Sequence, residues 1–259
     1  ITCRDWSSDV CSSDLYQMLP ESVIAPASWL AEQGYSMQLL YQYTKSGWLK
    51  KTSRGSYIRC DANPSWQGAV LGLQKLSHEL FHIGGITSLN LQGYAHYLPL
   101  NNSHTIYLYG TQKLPAWFRN IELEQEFHIM KRPYFKGIGL KSIPSNIRDW
   151  EIVVSSPERA ILELLYQVKP NGLSFEFVAE IFEGLTTLRP SLLNELLGIC
   201  ENIRVKRLFI FLSSYFHHPW AKHIKTDSLE LGAGRIQVVK DGVFDNEFLI
   251  TIPKMYHAK

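Results

Sequence analysis

Pro26-Ala27-Ser28-Trp29-Leu30-Ala31-Glu32-Gln33 runs through Gly34-Tyr35-Ser36 into Met37-Gln38-Leu39-Leu40-Tyr41-Gln42-Tyr43-Thr44-Lys45-Ser46. The first segment reads as a short helix. Gly34 follows it, as a left-handed C-terminal cap requires. Tyr35 is placed to plug the turn, and Ser36 offers its hydroxyl as the cap of the next helix. That helix runs roughly from Met37 to Ser46, and Gly47 closes it. Two helices joined by about three residues that include a glycine form a helix-turn-helix pattern. Upstream, Leu15, Met18 and Leu19 belong to an earlier helix stopped at Pro20.

The helix from Met37 divides into two faces. Leu40, Tyr43 and Thr44, with Leu39 beside them, are expected to pack on Trp29 and Leu30. Gln38, Tyr41, Gln42 and Lys45 share the other face at i, i+3, i+4, i+7 spacing. They bring donors and acceptors and no carboxylate. Glutamine can bond adenine at N6 and N7, and lysine can bond guanine or a phosphate. After Gly47 come Trp48-Leu49-Lys50, a polar turn Lys51-Thr52-Ser53-Arg54-Gly55, and Ser56-Tyr57-Ile58-Arg59. These predict a two-stranded wing with a basic tip, suited to phosphates or the minor groove.

Charge is distributed to match. Gln33 to Cys60 holds Lys45, Lys50, Lys51, Arg54 and Arg59 and no Asp or Glu. The chain of 259 residues carries a formal charge of only +2. A local basic patch on a near-neutral chain points to a polyanion-binding face. A second candidate basic surface is Arg204, Lys206 and Arg207, heading a late helix.

The first fifteen residues are set aside. The chain opens without methionine, and Ser7-Ser8-Asp9-Val10-Cys11-Ser12-Ser13-Asp14-Leu15 repeats within itself. With Asp5-Trp6 it resembles the conceptual translation of a sequencing-adapter oligonucleotide. The expectation is a non-native leader at 1–15, excluded from fold reasoning. Without residues 1–14 the formal charge becomes +4. A winged helix-turn-helix is then expected at 16–62 and an α+β domain at 63–259. In the latter, helices are expected at about 66–76, 86–92, 156–168, 175–184, 191–200 and 204–216. Strands are expected at 81–83, 105–109 and 151–154, with two more near 236–240 and 247–252 framing Asp241-Gly242. Ser156-Pro157-Glu158 marks a helix start, with a cap, a proline at the first position and an acid in the first turn.

Composition narrows the classes. Apolar residues make up 45% and charged residues 19%, which is ordinary for a globular chain. The longest strongly apolar run, Leu208 to Leu212, is too short for a membrane span. Four cysteines without a C-x-x-C pair make neither a disulfide scaffold nor a zinc ribbon. A reduced cytoplasmic protein is the default expectation. His78-Glu79-Leu80-Phe81-His82 matches H-E-x-x-H, which on a helix places two imidazoles for zinc with the glutamate as base. Against that, Phe81-His82-Ile83-Gly84-Gly85 reads as a strand followed by a turn, so zinc-dependent hydrolysis stays the minor alternative. His217, His218 and His223 lack a thiol or carboxylate to complete a metal site. Gly137-Ile138-Gly139-Leu140-Lys141-Ser142 lacks the spacing of a phosphate loop, and there is no G-x-S-x-G. No cofactor, metal or catalytic group is assigned, and an enzyme is not expected.

Further stretches carry a resemblance. They are Gly47-Trp48-Leu49, Gly55-Ser56-Tyr57-Ile58-Arg59, His82-Ile83-Gly84-Gly85-Ile86-Thr87-Ser88-Leu89 and Gly93-Tyr94-Ala95-His96-Tyr97-Leu98-Pro99. Leu114-Pro115-Ala116-Trp117, Ser156-Pro157-Glu158-Arg159-Ala160, Leu188-Arg189-Pro190, Val205-Lys206-Arg207-Leu208-Phe209 and Leu229-Glu230-Leu231-Gly232 follow. From about residue 16 to the end, the chain resembles the AbiEi-type antitoxins of type IV toxin–antitoxin (abortive infection) systems. The resemblance implies a winged helix that binds inverted repeats in its own promoter and represses the operon. It also implies a C-terminal body needed for antitoxin action and a nucleotidyltransferase-like toxin, countered without a stable complex being required. By matching positions, Gln38, Tyr41, Gln42 and Lys45 would face bases or adjacent phosphates. Lys50, Lys51, Arg54, Tyr57 and Arg59 of the wing would meet the DNA backbone. The alternative is a winged-helix regulator with no toxin partner.

Overall fold

The computed structural model describes residues 12–94, 105–131, 133 and 135–257. In chain order the elements are α1 (Ser12–Met18), β1 (Ala25–Pro26), α2 (Ala27–Glu32), α3 (Met37–Lys45), β2 (Leu49–Ser53), β3 (Ser56–Arg59) and α4 (Trp66–Leu71). One π-helical turn, Gly72–Leu76, continues α4. Next come β4 (His82–Ile83), α5 (Gly85–Leu91), β5 (Thr105–Tyr109), α6 (Ala116–Arg119), β6 (Glu126–Met130), β7 (Leu140–Ile147) and β8 (Trp150–Ser155). Four helices follow, α7 (Pro157–Gln167), α8 (Phe175–Glu183), α9 (Pro190–Ile199) and α10 (Ile203–Phe216). Three short strands close the chain, β9 (Ile236–Gln237), β10 (Val243–Asp245) and β11 (Ile250–Ile252). The fold class is α+β, as expected. His96 and the stretch Ala95 to Pro99, like Cys3 and Cys11, lie outside the described residues.

Contacts gather the chain into two units. The first holds the described residues up to Phe81, with Gln112–Glu126 and Ser142–Val153. The second holds those of His82–Thr111, Phe127–Lys141 and Val154–Lys259. The first unit therefore reaches past residue 62. Its sheet has the order β1-β3-β2, antiparallel throughout, with Ala25 opposite Tyr57 and Lys50 opposite Ile58. Leu15, Leu19, Leu30, Tyr35, Leu40, Leu49 and Ile58 are buried together as its core. The two helices α2 and α3 are followed by the two-stranded wing β2-β3, and a third strand, β1, pairs beside β3 in the same sheet. The Arg148 guanidinium donates to the carbonyls of Tyr16 and Gln17, both at 2.7 Å. It thereby satisfies carbonyls at the C-terminus of α1 that have no partner within the helix.

The second unit is built around α7. Ser156 caps it, Pro157 stands at its first position and Glu158 in its first turn, as the sequence predicts. The sequence also predicts an apolar stripe, but every residue of α7 from Pro157 to Leu165 is buried. A helix buried all round is a central one. Within this unit β4 pairs antiparallel with β5, His82 opposite Tyr109, and parallel with the end of β8, Ile83 opposite Val154. The terminal sheet differs from the sequence reading. Strands near 236–240 and 247–252 do not pair around Asp241-Gly242 as a hairpin. Instead β10 intervenes and pairs antiparallel with β11, while β9 lies parallel to β11.

Glu163 of α7 is ionisable and its side chain is 0% exposed. Its carboxylate is surrounded by donors. His82 Nε2 lies at 3.0 Å, Gly85 N at 2.9 Å, Ser155 Oγ at 2.8 Å and Arg159 Nε at 2.8 Å. These come from β4, α5, β8 and α7 itself, so one carboxylate gathers four elements. Arg159 continues to the Ile138 carbonyl at 2.7 Å, and the Tyr109 ring stacks on His82 at 5.6 Å. Gly84 is required there: a Cβ would strike Glu163 Oε2 and the Tyr109 ring. Burial would raise the Glu163 pKa, but the donors from His82 and Arg159 outweigh it and hold the carboxyl below the usual range. Burial pushes the His82 imidazole the other way, below its ordinary 6.5, despite its hydrogen bond to Glu163. Neutral His82 therefore donates Nε2–H to an ionised Glu163.

Both shifts have the same sign for stability. An imidazole with a lowered folded pKa and a carboxylate with a lowered folded pKa each stabilise the fold above their unfolded values and cease to as pH falls. Stability should decline as pH drops below about 6.5, first through His82 and at lower pH through Glu163. Chemical denaturation as a function of pH checks this. His82→Gln is expected to flatten the slope just below pH 6.5 while leaving the steeper loss at lower pH.

Candidate nucleic-acid interface

The turn between α2 and α3 follows from local chemistry. Gly34 takes φ +90, and Tyr35 behind it is fully buried. The Ser36 hydroxyl accepts the Leu39 amide at 3.2 Å, giving α3 its N-cap. Leu40 is buried, and Tyr43 sets its ring edge against Tyr35 with centroids 6.0 Å apart. Thr44, expected on this inner face, is exposed, and its hydroxyl donates to the Leu40 carbonyl at 2.8 Å. Anchored this way, α3 presents Gln38, Tyr41, Gln42 and Lys45 outward, and all four are exposed. Lys45 Nζ stands 4.9 Å over the Tyr41 ring. Sequence reasoning missed Met37, which is 64% exposed on the same side. An i, i+4 relation to Tyr41 was the available signal.

The wing sorts its residues. Lys51 and Arg54 are exposed and Lys50 is half-buried. Arg54 sits in the turn, beside Gly55 at φ +86. Beneath the tip, the Ser53 hydroxyl reaches the Trp117 carbonyl at 2.8 Å and the Ser56 hydroxyl at 2.7 Å. Tyr57 and Arg59, assigned to DNA by sequence, both lie inside the unit, at 7% exposure. Arg59 donates to Asp61 from Nε at 3.1 Å and from Nη2 at 2.5 Å, and Glu21 is 3.6 Å from Nη1. Its guanidinium lies 3.9 Å over the Tyr16 ring, and Tyr16 donates to the Trp48 carbonyl at 3.2 Å. The hydrogen bond from Arg59 holds the Asp61 carboxyl below the usual range. Arg59 fastens the base of the wing to α1. The signal was Asp61, two residues on, which a count ending at Cys60 leaves out.

The second basic group does not form a surface either. Arg207 is 2% exposed. It donates to the carbonyls of Leu231 at 2.7 Å, Gly232 at 2.8 Å, Gly234 at 2.5 Å and Leu249 at 3.1 Å. It ties α10 to the segment before β9 and to the residue just before β11. Lys206 is buried, and half-buried Arg204 donates to the Tyr166 carbonyl at 3.0 Å. Position in the first turns of a helix does not distinguish a solvated arginine from one that grips a loop.

The remaining motifs resolve as structure. His78 has φ +52 and lies past the end of the helix, while His82 belongs to β4 and is committed to Glu163. H-E-x-x-H is therefore not on a helix, and the zinc geometry it would supply there does not arise. No group of three metal-ligating side chains occurs among the described residues. His218 is buried, bonded to the Phe182 carbonyl at 3.0 Å and stacked on Trp220 at 5.0 Å. Burial pushes the Cys200 thiol up, away from reactivity. Among the described residues no helix is long and apolar enough to cross a membrane.

Together, α3 and the wing offer two exposed amides, two exposed apolar side chains and the exposed cations Lys45, Lys51 of β2 and Arg54 of the turn, with Lys50 half-buried. No carboxylate lies between Gln33 and Cys60 to repel a polyanion.

Residues 11–100 match a family described as transcriptional regulator, AbiEi antitoxin N-terminal domain. Residues 103–253 match one described as transcriptional regulator, AbiEi antitoxin, type IV TA system. Among solved structures, the chain is similar to the RV2827C protein from Mycobacterium tuberculosis, at 12% identity and a TM-score of 0.59. That likeness spans 88% of this chain and 85% of the other, and at such identity it is one of fold. No curated protein matches the chain. The two family matches together take in most of the chain, which belongs to the AbiEi antitoxin family of type IV toxin–antitoxin transcriptional regulators.

Proposed function

We propose that the chain is a cytoplasmic DNA-binding antitoxin that represses its own operon and counters a nucleotidyltransferase-like toxin. It acts through binding and not catalysis. One observation carries the DNA part: the carboxylate-free outer face of α3, held by Ser36, Tyr35 and Leu40, stands in the same unit as a basic wing tip. In a helix-turn-helix the second helix enters the major groove, and phosphate contacts set its register. Gln38, Tyr41, Gln42 and Lys45 are assigned to base edges or neighbouring phosphates. Lys50, Lys51 and Arg54 are assigned to the backbone. Tyr57 and Arg59 hold the wing in place instead of touching DNA.

The repressor reading is tested by titrating the chain against the DNA upstream of its own gene and against a scrambled duplex, at several salt concentrations. Preference for the upstream DNA supports it, and equal binding or none overturns it. The toxin reading is tested by co-expression with the neighbouring gene. Relief of growth arrest supports it, and arrest unaffected by the antitoxin leaves a plain winged-helix regulator.

Residue assignments give three expected outcomes. Lys51→Ala with Arg54→Ala should weaken every duplex alike and lower the slope of log K against log salt by about two. Gln42→Ala should relax preference for the operator, costing about 1–3 kcal/mol of discrimination if the amide bonds both adenine positions. Unchanged discrimination would move the base-reading face elsewhere on α3. Arg59→Ala should lower the melting temperature and leave the salt slope of the remaining folded protein unchanged. A lower slope would return Arg59 to the phosphate contacts.

A further inference from the structure

We propose that α3 reads A·T pairs by pairing an amide with an apolar group, Met37 and Tyr41 meeting thymine methyl groups beside Gln38 and Gln42. The inference deepens the DNA-binding reading of α3 and rests on it. Met37 is 64% exposed and Tyr41 61%, a large apolar area to leave in water on a nine-residue helix. They stand four residues apart and so lie on one side, in consecutive turns. Each is followed directly by a glutamine, so the helix repeats an apolar–amide pair, Met37-Gln38 and Tyr41-Gln42.

That repeat has a counterpart in the major groove. An A·T pair presents the adenine N7 acceptor and N6 donor next to the thymine C5-methyl. A glutamine beside an apolar group matches that edge, whereas a G·C pair offers no methyl and reverses part of the donor pattern. One helical turn advances about 5.4 Å, comparable to one or two base-pair steps of about 3.4 Å. Met37 lies in the N-terminal turn, the part of a recognition helix that approaches base edges. Its unbranched thioether adapts to a methyl surface. The Lys45 ammonium, 4.9 Å over the Tyr41 ring, limits where that ring can turn.

The test separates methyl contacts from all others. A duplex enriched from a randomised pool by the full chain is remade with deoxyuridine replacing thymidine, one position at a time. This removes only the C5-methyl and leaves base pairing and phosphates intact. Affinity should fall about fourfold at each contacted thymine, the worth of one buried methyl group. Met37→Ala should abolish the sensitivity at one position, and Tyr41→Ala at a different one. Both residues are exposed, and unchanged melting temperatures would show that the fold is retained. Enriched duplexes without A·T pairs in the half-site, or deoxyuridine substitution without effect, would overturn the inference and leave the DNA-binding reading standing. A pool from which nothing is enriched would overturn both.

Discussion

A buried carboxylate must keep its donors or lose its charge, and in this chain that constraint falls on Glu163. Four donors from β4, α5, β8 and α7 converge on it. Removing any one leaves a charge in a low-dielectric interior with less compensation, which is costly out of proportion to a single hydrogen bond. The strand-turn-helix segment from His82 to Leu89 and the helix start at Ser156 are thereby tied to each other, although more than sixty residues separate them in sequence. Gly84 has no side chain because the carboxylate and the Tyr109 ring occupy that space.

The same constraint sorts the cations. The buried side chains of Arg59, Arg159 and Arg207 are each engaged by carboxylates or carbonyls of their own unit. A guanidinium presents several donors in a fixed planar fork, which suits it to gripping several acceptors at once. The exposed cations of the helix-turn-helix and wing are fewer: Lys45 on α3, Lys51 on β2 and Arg54 in the turn after it, with Lys50 half-buried beside Lys51. Charges used to hold the fold are not available to a ligand, so the basic count of the sequence overstates the cations that a proposed DNA contact could use. The outer face of α3 is fixed by the packing of Tyr35 and Leu40, and residues 33–60 contain no Asp or Glu. Those are the properties that pre-organised recognition of a duplex needs.

Much of the fold could be read directly from residue order. Ser36, Gly34 and the two faces of the helix after them carry the helix-turn-helix, because caps and turns are local chemistry. Ser156-Pro157-Glu158 announces α7 for the same reason. The outer face of α3 was legible except for Met37, which an apolar residue's usual preference for the core conceals. Non-local geometry was not legible. Tyr57 and Arg59 continue the alternation of the wing, yet the added strand β1 and the neighbours Asp61 and Tyr16 turn them inward. Arg207 reads as a solvated helix residue until the loop carrying Leu231 and Gly232 closes over it. The parallel pairing of β9 with β11 is another case, since adjacent strands in sequence most simply suggest a hairpin.

Under the proposed function α3 and the wing meet the nucleic acid, while the arginines committed inside each unit do not. Amide hydrogen exchange across the whole chain, with and without a bound operator duplex, addresses both halves at once. New protection is expected to concentrate in residues 37–45 and 50–55, with residues 203–207 unchanged. Protection centred on 203–207, or a bound duplex that leaves 37–45 unprotected, would contradict it.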